Sequence, residues 1–277
     1  MKKLLLLLLL LCSATAYAQV PTSTVPLPHD IAAIKRANVL VVSMTKKDNA
    51  PFFSGDEQHL HGIDVDIANS IGKALKVPVK FRRDADSFAE VVEQVRDGRA
   101  DIAVSKVSVT EPRLETVKFS TPYLKLRQAM IVNRVWLSQN TQGREIYQVI
   151  REFHGRISFI KDSSYDTFAR INFPNAQFIP KEKWDDIVTD VMSGRVAAAY
   201  RDEFELKKIS FERPDAALST KTITISDKVD FIAIAVNNNA QQLLPVVNHV
   251  IRNEYSNLDA NKLMIRYKEE KALKDAK

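Results

Sequence analysis

The sequence predicts an α/β protein of two similar lobes, each a mostly parallel sheet flanked by helices. Two observations carry that prediction. The chain says nearly the same thing twice: VVEQVRDGRADIAV at 91–104 and IVTDVMSGRVAAAY at 187–200 share Val92/Val188, Val95/Val191, Gly98/Gly194, Arg99/Arg195 and Ala103/Ala199. In each, a helix with apolar spacing stops at a Gly able to take a left-handed C-terminal cap, then runs straight into a small apolar strand. Short β-branched runs also alternate with helix-periodic segments along the chain, the pattern that builds parallel sheets with helices on both faces.

The elements follow in order. Residues 1–18 read as a secretory leader: Lys2 and Lys3, an apolar core from Leu4 to Leu11, and a small-x-small exit at Ala16-Tyr17-Ala18. That core is too short for a membrane span, and cleavage is expected after Ala18. The one cysteine, Cys12, lies inside the core, and the preceding Leu11 does not suit a lipid-anchor motif. The mature remainder, without cysteine, must rely on an ordinary hydrophobic core, which about 260 residues permit. QVPTSTVPLP (19–28) is an extended lead-in. NVLVVSM (38–44) is a buried strand; IDVDIANSIGKALKV is a helix that Asp64 can cap, with Ile67, Ile71, Ala74 and Leu75 as its apolar stripe. VPVKFRR (77–83) is a strand, SFAEVVEQVRDG (87–98) a helix, and ADIAVS a strand.

The second half repeats the scheme. REIYQVIREFHG (144–155) is a helix ended by Gly155, RISFI (156–160) a strand, SYDTFARINF a helix start and AQFIPK a strand. The second copy of the repeat follows, then the strand FIAIAV (231–236) and the helix AQQLLPVVNHVIRNEY. KEEKALKDAK, at the end, is mixed in sign and reads as a solvated helix.

Charge excludes one class of partner. Without Lys2 and Lys3 the balance is 38 basic against 34 acidic residues, a net +4 scattered along the chain, where nucleic-acid binding wants a clustered basic face. Nothing after the leader approaches eighteen consecutive apolar residues, so an exported, periplasmic protein is expected.

Open α/β sheets bind ligands at the carboxyl ends of their strands, and two such sheets facing each other make a cleft. Three features there are complementary. Arg113, in SKVSVTEPRLETVKFSTPY (105–123), offers a planar fork that matches a carboxylate, with Ser108 and Thr110 beside it. Ser163 and Ser164 open a helix whose N–H groups and dipole favour an anion. Asp202 ends the strand VAAAY with a carboxylate suited to an ammonium. Each also has a plain alternative: a surface Arg paired with Glu111 or Glu115, simple capping by serine, and a turn residue. Together they form the charge pattern of an α-amino acid.

The chain resembles a family 3 periplasmic solute-binding protein, the polar amino-acid receptors of ABC importers, over nearly its whole mature length. The resemblance rests on APFF (50–53), HGIDVDIA (61–68), DGRADIAVS (97–105), SVTEPRLETVKFSTPY (108–123), GRISFIKDSSYDTFA (155–169) and SGRVAAAYRD (193–202). It implies a two-lobed periplasmic binding protein-like fold joined by two hinge strands, placed near 129–133 and 230–234. The first lobe then comprises 30–130 and 233–277, and the second 131–232. It implies that Arg113 binds the ligand α-carboxylate with Ser108 as its hydroxyl neighbour, that Ser163 and Ser164 contact the same carboxylate, and that Asp202 holds the α-amino group. Phe88 falls at an apolar or aromatic wall, and Phe52, within APFF, joins the ligand-binding set. The implied partners are an amino acid and an inner-membrane ABC permease, with a monomeric receptor and neither cofactor nor metal.

Departures from the family pattern bear on specificity. Asn49 replaces an aromatic wall, Lys106 stands where Gly or Ser is usual, Lys46 occupies a position acidic in receptors for cationic side chains, and Asp162 replaces the Gly before the Ser pair. The two lysines favour an acidic or polar amino acid over arginine, lysine or histidine, unless both point to solvent. Other signals weigh less. His59 and His61 lack a third ligand nearby, Asp64 and Asp66 suit cap and first-turn duty, and Trp136 and Trp184 suit packing or surface stacking. The rival reading is a cyclohexadienyl dehydratase-like enzyme on the same scaffold, with Glu203 or Asp162 as its acid; turnover of prephenate or arogenate would separate the two.

Overall fold

The computed structural model describes residues 26–275. The expected leader, Cys12, and the lead-in as far as Val25 lie outside the described residues.

The first lobe opens with α1 (His29–Ala37), β1 (Leu40–Thr45), α2 (Ile63–Leu75), β2 (Val79–Ala85), α3 (Phe88–Arg96), β3 (Ile102–Ala103), α4 (Glu111–Leu114) and β4 (Lys118–Phe119). A long strand, β5 (Leu124–Asn133), carries the chain into the second lobe. There follow α5 (Arg134–Thr141), α6 (Ile146–Arg151), β6 (Arg156–Ile160), α7 (Ser164–Asn172), β7 (Gln177–Lys181), α8 (Trp184–Met192), β8 (Ala198–Asp202), α9 (Glu203–Glu212) and α10 (Ala216–Ser219). The strand β9 (Thr220–Ile232) returns to the first lobe, which ends with β10 (Ala235–Val236), α11 (Leu243–Glu254) and α12 (Ala260–Asp275).

Each lobe is built on one five-stranded sheet, ordered β2-β1-β3-β10-β4 and β7-β6-β8-β5-β9. The first three strands of each order are parallel, whereas β10, β5 and β9 run antiparallel to their neighbours. The sheets are therefore mixed, and the antiparallel members are the crossing strands and the one that follows them. Apolar clusters cover both faces of each sheet.

The two copies of the repeat fold alike. The glycines take left-handed φ of 71° at Gly98 and 75° at Gly194, where a side chain would be strained. Each donates its N–H back to the helix, Gly98 to Val95 and Gly194 to Val191, both at 3.1 Å. One expected helix end differs: α6 stops at Arg151 rather than at Gly155. Gly155 serves close packing instead, since a Cβ there would lie 2.8 Å from the Ala197 Cβ.

The passage between lobes sits earlier on the outgoing strand than expected. Leu124 and Leu126 belong to the first lobe's core, while Ala129, Met130 and Ile131 belong to the second lobe's. Opposite them, the pairing of β5 with β9 slips between Arg127 and Gln128, leaving Ser226–Lys228 as a bulge at the crossing. The lobes also meet behind the hinge: Phe204 of α9 is fully buried in the first lobe's core, edge-on to Phe52 at 5.7 Å and to Tyr267 of α12 at 6.4 Å. The terminal helix is thus packed along one face through Leu263, Met264 and Tyr267, while its other face, with Ile265, is exposed.

Candidate functional site

The cleft between the lobes gathers side chains from three segments. Lys106, Ser108 and Arg113 come from the segment after β3, Ser163 and Ser164 from the turn between β6 and α7, and Asp202 from the end of β8. With Phe88, Tyr165, Arg201 and Asp230 they line one small pocket of about 20 Å³.

Arg113 is set by the short helix α4, whose N-cap is Thr110. Its Nη1 donates to the Ser108 carbonyl at 2.9 Å, and neither Glu111 nor Glu115 pairs with it. Burial pushes the guanidinium down to about 10, partly opposed by Asp230, so it stays cationic at neutral pH. Across the cleft, Ser163 caps α7, its Oγ accepting from the Tyr165 N–H at 3.2 Å and donating to the Ile160 carbonyl at 2.6 Å. Ser164 Oγ lies 2.8 Å from Ser108 Oγ, tying the two lobes together. Asp162, exposed before this pair, takes φ 56°, the left-handed conformation its usual Gly would adopt and that Asp tolerates.

Asp202 caps α9, its Oδ1 accepting from the Glu205 N–H at 3.0 Å. Its Oδ2 accepts from Lys106 Nζ at 2.8 Å, and Glu205 Oε1 accepts from the same ammonium at 2.8 Å. Burial alone would lower the Lys106 ammonium, but the two carboxylates outweigh it and hold it above the ordinary range. Lys106, Lys208 and Arg201 hold Glu205 well below the usual carboxylate range against its burial. The Lys106 backbone sits at φ 48°, a left-handed conformation that Gly takes more readily than Lys. Its N–H donates to Asp64 Oδ2 at 2.7 Å.

Several expectations need correcting. Asp64 does not cap α2, whose N-cap is Gly62. It is fully buried under the cleft and also accepts from the Tyr123 hydroxyl at 2.8 Å. Its partner in the pair, Asp66, forms an ion pair with Arg266 at 2.8 Å on the surface. Ala74 is exposed rather than part of the α2 stripe. Lys46 is exposed and lines a surface groove with Arg82 and Arg83, away from the cleft. Phe52 is fully buried in the first lobe's core, and its ring meets Lys106 Nζ at 5.1 Å rather than the cleft. Asn49 and Phe88 do reach an interlobe space, a chamber of about 280 Å³ lined also by Trp184, Arg201, Glu205 and Lys208. Trp184 stacks there beneath the Arg201 guanidinium at 5.1 Å. His59 and His61 hold loop contacts with Asp56 and Ser54. Glu203 accepts from the Arg127 N–H at 3.0 Å.

Sequence reasoning missed Glu205, Arg201, Tyr165 and Asp230. Glu205 had a signal, because Asp202-x-x-Glu205 is a capping-box pattern. Asp230 had one too, as a lone acid entering the apolar run FIAIAV. Asp230 accepts from Ser108 Oγ at 3.0 Å through Oδ2, while its buried Oδ1 has no hydrogen-bond partner. Burial first, then the like charge of Asp202, raises it to about 7.

Two five-stranded α/β lobes crossed by two long strands, with this constellation between them, can be compared with known proteins. The sequence profile of the bacterial extracellular solute-binding proteins, family 3, matches residues 41–270. The chain belongs to that family. A probable histidine-binding protein of Neisseria gonorrhoeae is similar at 23% identity over 223 residues, 79% of each chain. Among solved structures, an amino acid ABC transporter substrate-binding protein from Streptococcus pneumoniae, bound to L-arginine, matches with a TM-score of 0.67 and 25% identity. The match covers 86% of this chain and 98% of that one. An ancestral amino acid-binding protein, described as a precursor of cyclohexadienyl dehydratase, matches with a TM-score of 0.64 at 20% identity over 86% of this chain and 98% of its own. The family is described as one of solute-binding proteins, and this member has its two-lobed fold.

Proposed function

We propose that this chain is an exported periplasmic receptor, released from its leader after Ala18, that captures a small polar solute by its carboxylate and presents it to an ABC-type permease. It acts as a monomer, through Arg113, Ser108, Ser163 and Ser164. One observation carries the reading: among the described residues the Arg113 guanidinium spends a single donor on the protein, at the Ser108 carbonyl, and keeps the rest of its fork for a ligand. Ser163 and Ser164 open α7 from the opposite lobe, so a carboxylate there is gripped from both sides. Only contacts made better in one state than the other shift an open–closed equilibrium, and a ligand touching both lobes provides them.

Within that reading an acidic or polar side group on the solute is favoured over the basic one of arginine, lysine or histidine. Of the two lysines that suggested it, only Lys106 lies in the cleft. Relatives are named for histidine, arginine and glutamine, so the preference is argued from this chain's own cleft. Calorimetric titration with glutamate, aspartate, glutamine and arginine tests it, and preferential binding of arginine rejects the anionic preference. Replacing Arg113 by Ala should weaken capture of whichever solute binds by on the order of 2–4 kcal/mol, a charge-assisted pair lost in a dry cleft. A loss below about tenfold rejects Arg113 as the carboxylate's partner.

A further inference from the structure

The groups suited to hold a ligand ammonium already hold one. Lys106 comes from the first lobe, and its Nζ lies 2.8 Å from both Asp202 Oδ2 and Glu205 Oε1 on the second. The three side chains are 4%, 2% and 5% exposed. Phe52 and Phe204 wall the ammonium at 5.1 and 5.5 Å. The backbone is committed as well, since Asp64 holds the Lys106 N–H in its left-handed turn. The space left among Lys106, Arg113 and Asp202 is about 20 Å³, room on the order of one water. An incoming ammonium could only exchange one cation for another of equal charge, leaving Lys106 buried without its carboxylates.

We propose that Lys106 determines the specificity of the cleft: it fills the ammonium position with the protein's own cation, so the captured solute is a small organic carboxylate with no α-ammonium group. This rests on the carboxylate reading of Arg113 and narrows its ligand class. The rest of such a solute has a place in the adjoining chamber of about 280 Å³, which shares Phe88 and Arg201 with the Arg113 pocket. Two buried donors there, Asn49 Nδ2 and Trp184 Nε1, lack partners. They suit a second acceptor group, which makes a short dicarboxylate the matching shape.

The test uses two pairs of acids that differ only in the α-ammonium: glutarate against glutamate, and succinate against aspartate. Calorimetry on the wild-type protein should show the ammonium-free member of at least one pair binding tenfold or more tightly than its partner. Lys106→Ser should reverse that order by freeing Asp202 and Glu205. A Lys106→Ser/Glu205→Gln protein, which leaves one buried carboxylate for one ammonium, should do the same and guards against a folding failure of the single variant. Wild-type protein in which neither ammonium-free acid binds tenfold more tightly than its amino-acid counterpart, or variants that keep the wild-type order, overturns the inference. If none of the four acids binds either wild type or variants, the carboxylate reading itself fails, a distinct outcome.

Discussion

Asp230 is the cleft residue with the least obvious purpose and the clearest consequence. It is buried beside Ser108, under the field of Arg113, and its proton is held up to about 7 chiefly by burial and then by Asp202. On the proposed carboxylate reading, ionised Asp230 competes with the ligand for Arg113, and protonated Asp230 can donate to it. Its folded value lies above the ordinary carboxylate value, so the neutral form prevails below about 7 and is lost as pH rises through it. Capture of a carboxylate should therefore tighten as pH falls from 8 to 6.5, and Asp230→Asn should flatten that dependence. Titrations at several pH values check this, and equal slopes in the two proteins would reject it. Asp64, also raised to about 7 by burial, adds a stability effect of the same sign. Both acids bind protons more strongly folded than unfolded, so their contribution is fully present below the unfolded carboxylate value and is lost as pH rises through about 7.

At the scale of elements, α9 does two jobs at opposite faces of its first turn. Asp202 and Glu205 turn into the cleft, and Phe204 between them turns into the first lobe's core, against Phe52 and Tyr267. A fully buried aromatic with those contacts should cost about 3–5 kcal/mol when cut to Ala. Phe204→Ala should show that loss in urea unfolding, because the ring fastens one lobe to the core of the other. A loss under about 1 kcal/mol would mean that the first lobe's core closes without the ring. The repeated helix–Gly–strand unit shows the complementary lesson. Its two copies carry different residues at most positions yet reach the same 3.1 Å cap, because apolar spacing and one left-handed glycine suffice.

At the scale of the whole molecule, the lobes are joined by β5 and β9, by α9 packed on α12, and across the cleft by Lys106 and the Ser108–Ser164 contact. Lys106 is the only cation from the first lobe paired with second-lobe carboxylates in the cleft among the described residues. Removing it leaves two buried acids repelling one another and drawing water. Small-angle scattering of ligand-free protein should then give a larger radius of gyration for Lys106→Ser than for wild type. An unchanged radius would place the hold between lobes in the hinge, α9 and the Ser108–Ser164 contact.

The sequence by itself determined the alternation of strands and helices, the doubled unit, and the arginine and serines that meet in the cleft. Those depend on local period, a glycine's freedom, and the position of polar residues just past strand ends. It also marked Lys106 as out of pattern. Only the tertiary structure decided where that lysine goes. The ion pair joins residues 96 and 99 positions apart, and no local rule relates them. Contacts equally remote in sequence hid Asp230, beside Ser108, and turned Phe52, against Phe204, from a cleft wall into part of a core. Side-chain direction at a strand end is set by what packs behind it, and here that packing comes from the other lobe.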